Sequence, residues 1–195
     1  MSGLPRSFIG TFKAHGALLF TLLGLMWAVK IVDLLPFVHL DHFGIRPRSV
    51  AGLAGIVCSP FLHDGFGHLI ANSFPFVILG GVVLLGGRRV FWSVTIFVTL
   101  VGGLAVWLFA GRSGNHLGAS GVIFGYLGFL LARGWFEKSA AWMLGAGVVL
   151  FAYGGLLFGV LPVHAGVSWQ GHLFGFLAGV GAARLLFPRG KKPPG

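Results

Sequence analysis

The stretch LGASGVIFGYLGFLL, Leu117 to Leu131, decides the fold class of this chain. It carries no charged side chain, and its 15 residues, at about 1.5 Å each, cover roughly 22 Å of a hydrocarbon layer roughly 30 Å thick. This reads as a membrane helix, and a short one. With one end pinned by Arg133, the other end, bearing Ser120, starts several ångströms below the opposite membrane surface. Non-helical backbone at that depth is tolerated only where protein buries it or water reaches it.

Working outward, five further apolar runs flank it: Gly16 to Val38, Phe66 to Leu85, Val90 to Ala110, Ala140 to Leu161 and Gly171 to Phe187. Six spans of about 20 residues fit within the chain of 195 residues and leave no room for a soluble domain. The expected architecture is an all-α polytopic membrane protein. It is a single domain over 1–195 of six transmembrane helices with a short fourth, its core at about 16–187, with short basic tails at 1–13 and 188–195. Lys30 and Asp33 interrupt the first run, but three residues apart on a helix they can pair, and lysine can snorkel. The rival reading of that run as a signal peptide lacks a small-residue cleavage site before Lys30.

Composition agrees. The chain is 56% hydrophobic and 9% charged, with a mean hydropathy of +0.91, unlike an ordinary soluble domain. Its 20 Phe and 6 Trp exclude a disordered chain, and its 34 Gly follow no collagen period. A single cysteine, Cys58, excludes an intrachain disulfide and a cysteine zinc cluster.

The net charge of +10 does not point to nucleic acid, because the basic residues lie at the ends of apolar runs and in the tails. With six spans, one side receives ten of them: Arg6, Lys13, Arg88, Arg89, Arg133, Lys138, Arg184, Arg189, Lys191 and Lys192. The other receives three, Arg46, Arg48 and Arg112. The positive-inside rule therefore places both termini in the cytoplasm of a multi-pass cell-membrane protein, a bacterial inner membrane by expectation. Seven of the eight histidines then fall on or near the outer side. His39, His42 and His164 read as interfacial loop residues.

Polar side chains inside spans are costly and mark function by default. Ser120 opens the fourth run, His172 enters the sixth at similar depth, and His68 and Asn72 share a face four residues apart on the second. Gly121, Gly125 and Gly128 on the fourth run, with Gly175 and Gly179 on the sixth, permit close backbone contact. A serine hydroxyl needs a base, which neutral imidazole supplies, and a developing oxyanion needs fixed donors. Ser120 and His172 fit the first roles; Asn72, His68 and the Ser120 amide fit the last. No carboxylate has an obvious place behind His172, so a dyad is expected. Each feature also has a plainer reading, since small and polar residues pack membrane helices together. His116 is a rival base and Cys58 a rival nucleophile, while His63, His68 and His172 as zinc ligands lack an H-E-x-x-H pair and a well-placed carboxylate.

These residues resemble the rhomboid intramembrane serine proteases, of the bacterial six-helix form. The resemblance covers roughly Gly44 to Leu186. It rests on Gly118-Ala119-Ser120-Gly121, on the His-x-x-x-Asn pattern of His68 and Asn72, on Gly171-His172, and on Ser59-Pro60-Phe61-Leu62-His63 leading into His68-Leu69. It implies Ser120 as nucleophile, His172 as general base and then acid, and an oxyanion hole of His68, Asn72 and the Ser120 amide. Gly118 would shape the turn before the nucleophile, and His63 would have a structural or water-organising role. It further implies a six-helix rhomboid-like bundle, a lateral substrate entrance near the second and fifth helices, and a flexible cap at Pro162 to Gln170. Phe124 stands where members often carry a tyrosine packed on the base, and the first outer loop offers Gly44-Ile45-Arg46-Pro47-Arg48 rather than a Trp-Arg pair.

The expected function is a serine endopeptidase that cleaves transmembrane segments of membrane proteins near the outer membrane boundary. Its partners would be transmembrane protein substrates and the lipid bilayer, with no nucleic acid, cofactor or metal. The alternatives are a catalytically inactive rhomboid-like client-binding protein and, ranked below it, a small transporter.

Overall fold

The computed structural model of the chain describes residues 6–112, 114–161 and 168–188. Among these, the architecture is helical, with no strand and one isolated antiparallel bridge between Ile45 and His116. The helices that carry it are α1 (Arg6–Val32), α2 (Gly65–Leu84), α3 (Arg88–Phe109), α4 (Ser120–Glu137), α5 (Ala140–Val160) and α6 (Trp169–Leu186). Four of them, α1, α2, α3 and α5, are long and apolar enough to cross a bilayer.

Burial is uneven among the helices. The most enclosed helix is α4, where every residue from Val122 to Leu130 is buried, and α6 buries His172, Gly175, Ala178, Gly179, Ala182 and Ala183. The more apolar helices surround this pair and turn large side chains outward, with Phe151 of α5 95% exposed and Leu144 74%. An outer surface of this kind suits lipid rather than water.

Glycine sets how closely α4 and α6 approach. A methyl on Gly175 would overlap the Gly121 carbonyl, one on Gly179 the Gly125 carbonyl, and one on Gly128 the Phe176 carbonyl. Backbone therefore lies on backbone along the shared face, as the glycine spacing predicts.

Several boundaries differ from the apolar runs. The first run ends as helix at Val32, because Asp33 accepts from Lys30 Nζ at 2.9 Å and from the Leu40 amide at 2.8 Å, closing the chain into a turn. The fourth helix continues beyond Leu131 to Glu137, giving 18 residues. Arg133 is neutralised by Glu137 at 2.7 Å and stacks over Trp142 at 3.5 Å and Phe187 at 4.5 Å. A charge that looks like a helix end is thus a buried clasp among α4, α5 and the end of α6. At 18 residues α4 remains shorter than α2, with 20, and α3, with 22. Within α3, Val98–Gly102 is a π-helical turn, and the last residues of α5, Gly154–Val160, tighten to a 3-10 helix.

The loop between α1 and α2 is tied to the end of α3. Arg48 donates to the carbonyls of Leu108 and Ala110, both at 2.8 Å, and Trp107 Nε1 donates to the Ser49 carbonyl at 2.8 Å. Ile45 and His116 exchange backbone bonds of 2.8 and 2.9 Å. The tails at 1–5 and 189–195, most of the expected cap (162–167) and His164 lie outside the described residues.

Replacing Gly179 by alanine is expected to lower the thermal unfolding temperature in detergent, overpacking costing about 1–3 kcal/mol. Gly145→Ala in α5, where a methyl meets nothing within 4 Å, is the control and should leave stability unchanged or raised.

Candidate active site

Ser120 is the first residue of α4. Gly118, at φ +112°, makes the turn before it, and a side chain there would meet the His68 ring at 2.7 Å and Asn72 Nδ2 at 3.3 Å. The two amides before Ser120 are already engaged: Gly118 N–H donates to the Ser59 carbonyl at 2.9 Å and Ala119 N–H to His63 Nε2 at 3.3 Å. The Ser120 amide belongs to the first turn of the helix, where backbone donors lack an intrahelical acceptor.

His172, in the first turn of α6, is buried and fixed on two sides. Its ring lies flat on Phe124, centroids 4.1 Å apart and planes 5° from parallel. Its Nδ1 is 2.8 Å from the carbonyl oxygen of Gly159 in α5. A carbonyl only accepts, so Nδ1 carries the proton and Nε2 is left with its lone pair. That is the tautomer a general base requires.

Ser120, His172, His68, Asn72 and Phe124 all line one cavity of about 1060 Å³. Asn72 is buried, and its Nδ2 has no protein partner among the described residues. A second cavity of about 50 Å³, also lined by Ser120, is bordered by Ser59, Thr99, His116 and Ser168. Among the described residues Ser120 Oγ and His172 make no direct hydrogen bond. Such bonds are commonly long before substrate binds and tighten in the complex.

His63 stands behind this site, its ring edge-on to His68 with centroids 5.2 Å apart. Burial first, and then the neighbouring His68, push its pKa from 6.5 down to about 4. The ring is neutral near pH 7, as its acceptance of the Ala119 amide requires.

Of the rivals, His116 borders both cavities. His116 Nδ1 is 2.6 Å from Ser168 Oγ, which also accepts the Gly171 amide at 3.1 Å as the N-cap of α6. His116 thus braces the entry to α6. Cys58 lies on a helical turn, Gly55–Cys58, and does not line the larger cavity. No group of three or more His, Cys, Asp or Glu side chains among the described residues forms a metal cage.

A family model for the Rhomboid domain matches residues 51–189. The chain belongs to the rhomboid family. It is 42% identical over 191 residues to an uncharacterized protein of Mycobacterium tuberculosis, covering 93% of this chain and 77% of the relative. A protein of Mycobacterium leprae, also uncharacterized, is 42% identical over 179 residues, 88% of this chain and 71% of the relative. A protein of Acanthamoeba polyphaga mimivirus with rhomboid in its name is 30% identical over 135 residues, 66% of this chain and 71% of that protein. Ser120, His172, His68 and Asn72 all fall inside the matched rhomboid region. With its apolar helices, this rhomboid is a multi-pass membrane protein.

Sequence reasoning missed the Gly159 carbonyl, the π-helical turn and the Arg48 anchor. Ser168 was findable, since serine directly before a helical run signals an N-cap. A backbone carbonyl arriving from another helix leaves no such mark.

Gly118→Ala is expected to lower the unfolding temperature, since φ +112° strains a side-chain residue by about 1–3 kcal/mol. Acid should also destabilise the fold through His63. Between pH 6.5 and about 4 the unfolded chain binds a proton that the folded ring does not, so stability falls as pH drops through that window. Thermal unfolding at pH 7 and pH 4.5 should show a smaller loss for His63→Gln than for the wild type.

Proposed function

We propose that this rhomboid is an intramembrane serine endopeptidase with Ser120 as nucleophile and His172 as general base. The observation that carries this reading is that Ser120, a base of defined tautomer and the unpartnered Asn72 amide front the same cavity. An unpaired amide donor at such a cavity is what a developing oxyanion needs.

In this mechanism Ser120 Oγ attacks the scissile carbonyl and its proton passes to His172 Nε2. Negative charge on the former carbonyl oxygen is met by Asn72 Nδ2, His68 and the Ser120 amide. His172 then protonates the leaving amine, an acyl-enzyme remains on Ser120, and water activated by the same imidazole releases it. The cavity of about 50 Å³ beside Ser120 has room for such water. The substrate helix must unwind locally, because a hydrogen-bonded helical carbonyl cannot meet the nucleophile in the required geometry. Transmembrane segments with Gly, Pro or polar residues near the membrane boundary are therefore the favoured substrates. The reading includes six spans in one domain, both termini cytoplasmic by the ten-to-three distribution of basic residues, and a site opening to the outer side of the cell membrane.

With a single-span reporter protein in liposomes, Ser120→Ala should abolish both cleavage and fluorophosphonate labelling while the protein still folds. His172→Ala should do nearly the same. Asn72→Ala should lower kcat by about 10²–10³, the range for loss of one oxyanion donor. Cleavage persisting in Ser120→Ala would overturn the assignment, and a folded wild type that neither labels nor cleaves would favour a client-binding protein.

A further inference from the structure

A serine–histidine pair works only if the imidazole presents a lone pair to the hydroxyl. Two fixed contacts decide this for His172: the Phe124 face holds the ring plane, and one hydrogen bond holds the tautomer. We propose that the Gly159 carbonyl is the third member of the catalytic unit, a positioning group that keeps the proton on His172 Nδ1, so that the outer end of α5 determines whether the base is armed. This rests on the reading of Ser120 and His172 given above.

Four observations support it. Gly159 lies in the last turn of the 3-10 segment Gly154–Val160, where terminal carbonyls have no intrahelical donor and are free to accept from elsewhere. The position suits glycine, because a Cβ there would stand 2.9 Å from Phe124 Cζ and 3.1 Å from His172 Nδ1, against the stacked pair itself. Asp41 and Asp64 also front the cavity, yet neither bonds to His172, so no carboxylate competes for the role. Finally, α5 is loosely embedded: over Ala140–Tyr153 only Val149 is buried. A lengthening of the 2.8 Å contact by about 1 Å would take it out of hydrogen-bond range. The proton could then move to Nε2, where it would face Ser120 as a donor and remove the base. Unlike a carboxylate, this third member sits on a helix that can shift.

The acceptor can be weakened without altering a side chain. Replacing Val160 with its α-hydroxy acid counterpart in the full-length protein turns the Gly159 carbonyl into an ester carbonyl, a poorer acceptor. The same replacement at Leu157, one turn earlier, is the control. With a single-span reporter in liposomes, the Val160 ester should lower kcat about tenfold with KM unchanged, while the Leu157 ester keeps both. This is smaller than the roughly 10⁴-fold loss when a triad histidine takes the wrong tautomer, because the ester still accepts weakly. Nitrogen-15 spectra of histidine-labelled protein, with His172 assigned by loss of its signals in His172→Gln, should show the Nδ1–H form in wild type and a mixture in the ester. Gly159→Ala should give the same mixture by displacing the carbonyl.

An ester variant with the wild-type tautomer and wild-type kcat would overturn the proposal. The spectra are also recorded in Ser120→Ala, where they report the tether without turnover. An intact Nδ1–H form there, in a protein whose wild type neither cleaves nor labels, would remove the protease reading and leave the tether standing.

Discussion

Backbone contact between α4 and α6 is the constraint on which the rest of this molecule depends. Ser120 opens one helix and His172 sits in the first turn of the other, so their relation is set by how the two axes cross. Side chains at Gly128, Gly175 or Gly179 would hold the axes apart, because carbonyl oxygens of the facing helix occupy the places their methyls would take. In a membrane there is little hydrophobic drive to bring helices together, and close packing must do that work. The glycines are therefore as much a part of the site as the polar residues they bring to one cavity.

Around this pair, local polarity is matched one group at a time. Ser59 and His63 take up the amides of Gly118 and Ala119, Ser168 caps α6, and His116 braces Ser168. Among the described residues the Asn72 amide stays unpartnered and fronts the cavity, and one ring nitrogen each of His63 and His116 is unpartnered too. A buried network with open polar groups is costly in folding, and an open amide donor is suited to binding a developing negative charge.

Much of this was legible in the sequence, for identifiable reasons. Long apolar runs locate helices in a membrane because the bilayer imposes length and apolarity together, so α2, α3 and α5 begin and end within a few residues of their runs. Rare polar residues at corresponding ends of separate runs locate the cavity, because each is expensive unless it serves a purpose. The reading fails where one residue's role is decided by another element. Arg133 looks like a helix end until Glu137 and Trp142 enclose it, and Arg48 looks like a topology charge until its guanidinium is found on the Leu108 and Ala110 carbonyls. The group behind His172 escaped for a deeper reason: it is a main-chain oxygen, and composition is silent about those.

The wide turn at Val98–Gly102 admits one residue more than an α-helical turn would hold. Downstream, Trp107 and the carbonyls of Leu108 and Ala110 receive the loop between α1 and α2. Shortening α3 by one residue at this point would relax the coil to regular pitch and swing those docking groups by about 100° around the axis. The loop would lose its berth while the helix kept its span, so the surplus residue works as an angular spacer that sets how the end of α3 meets the loop framing the cavity.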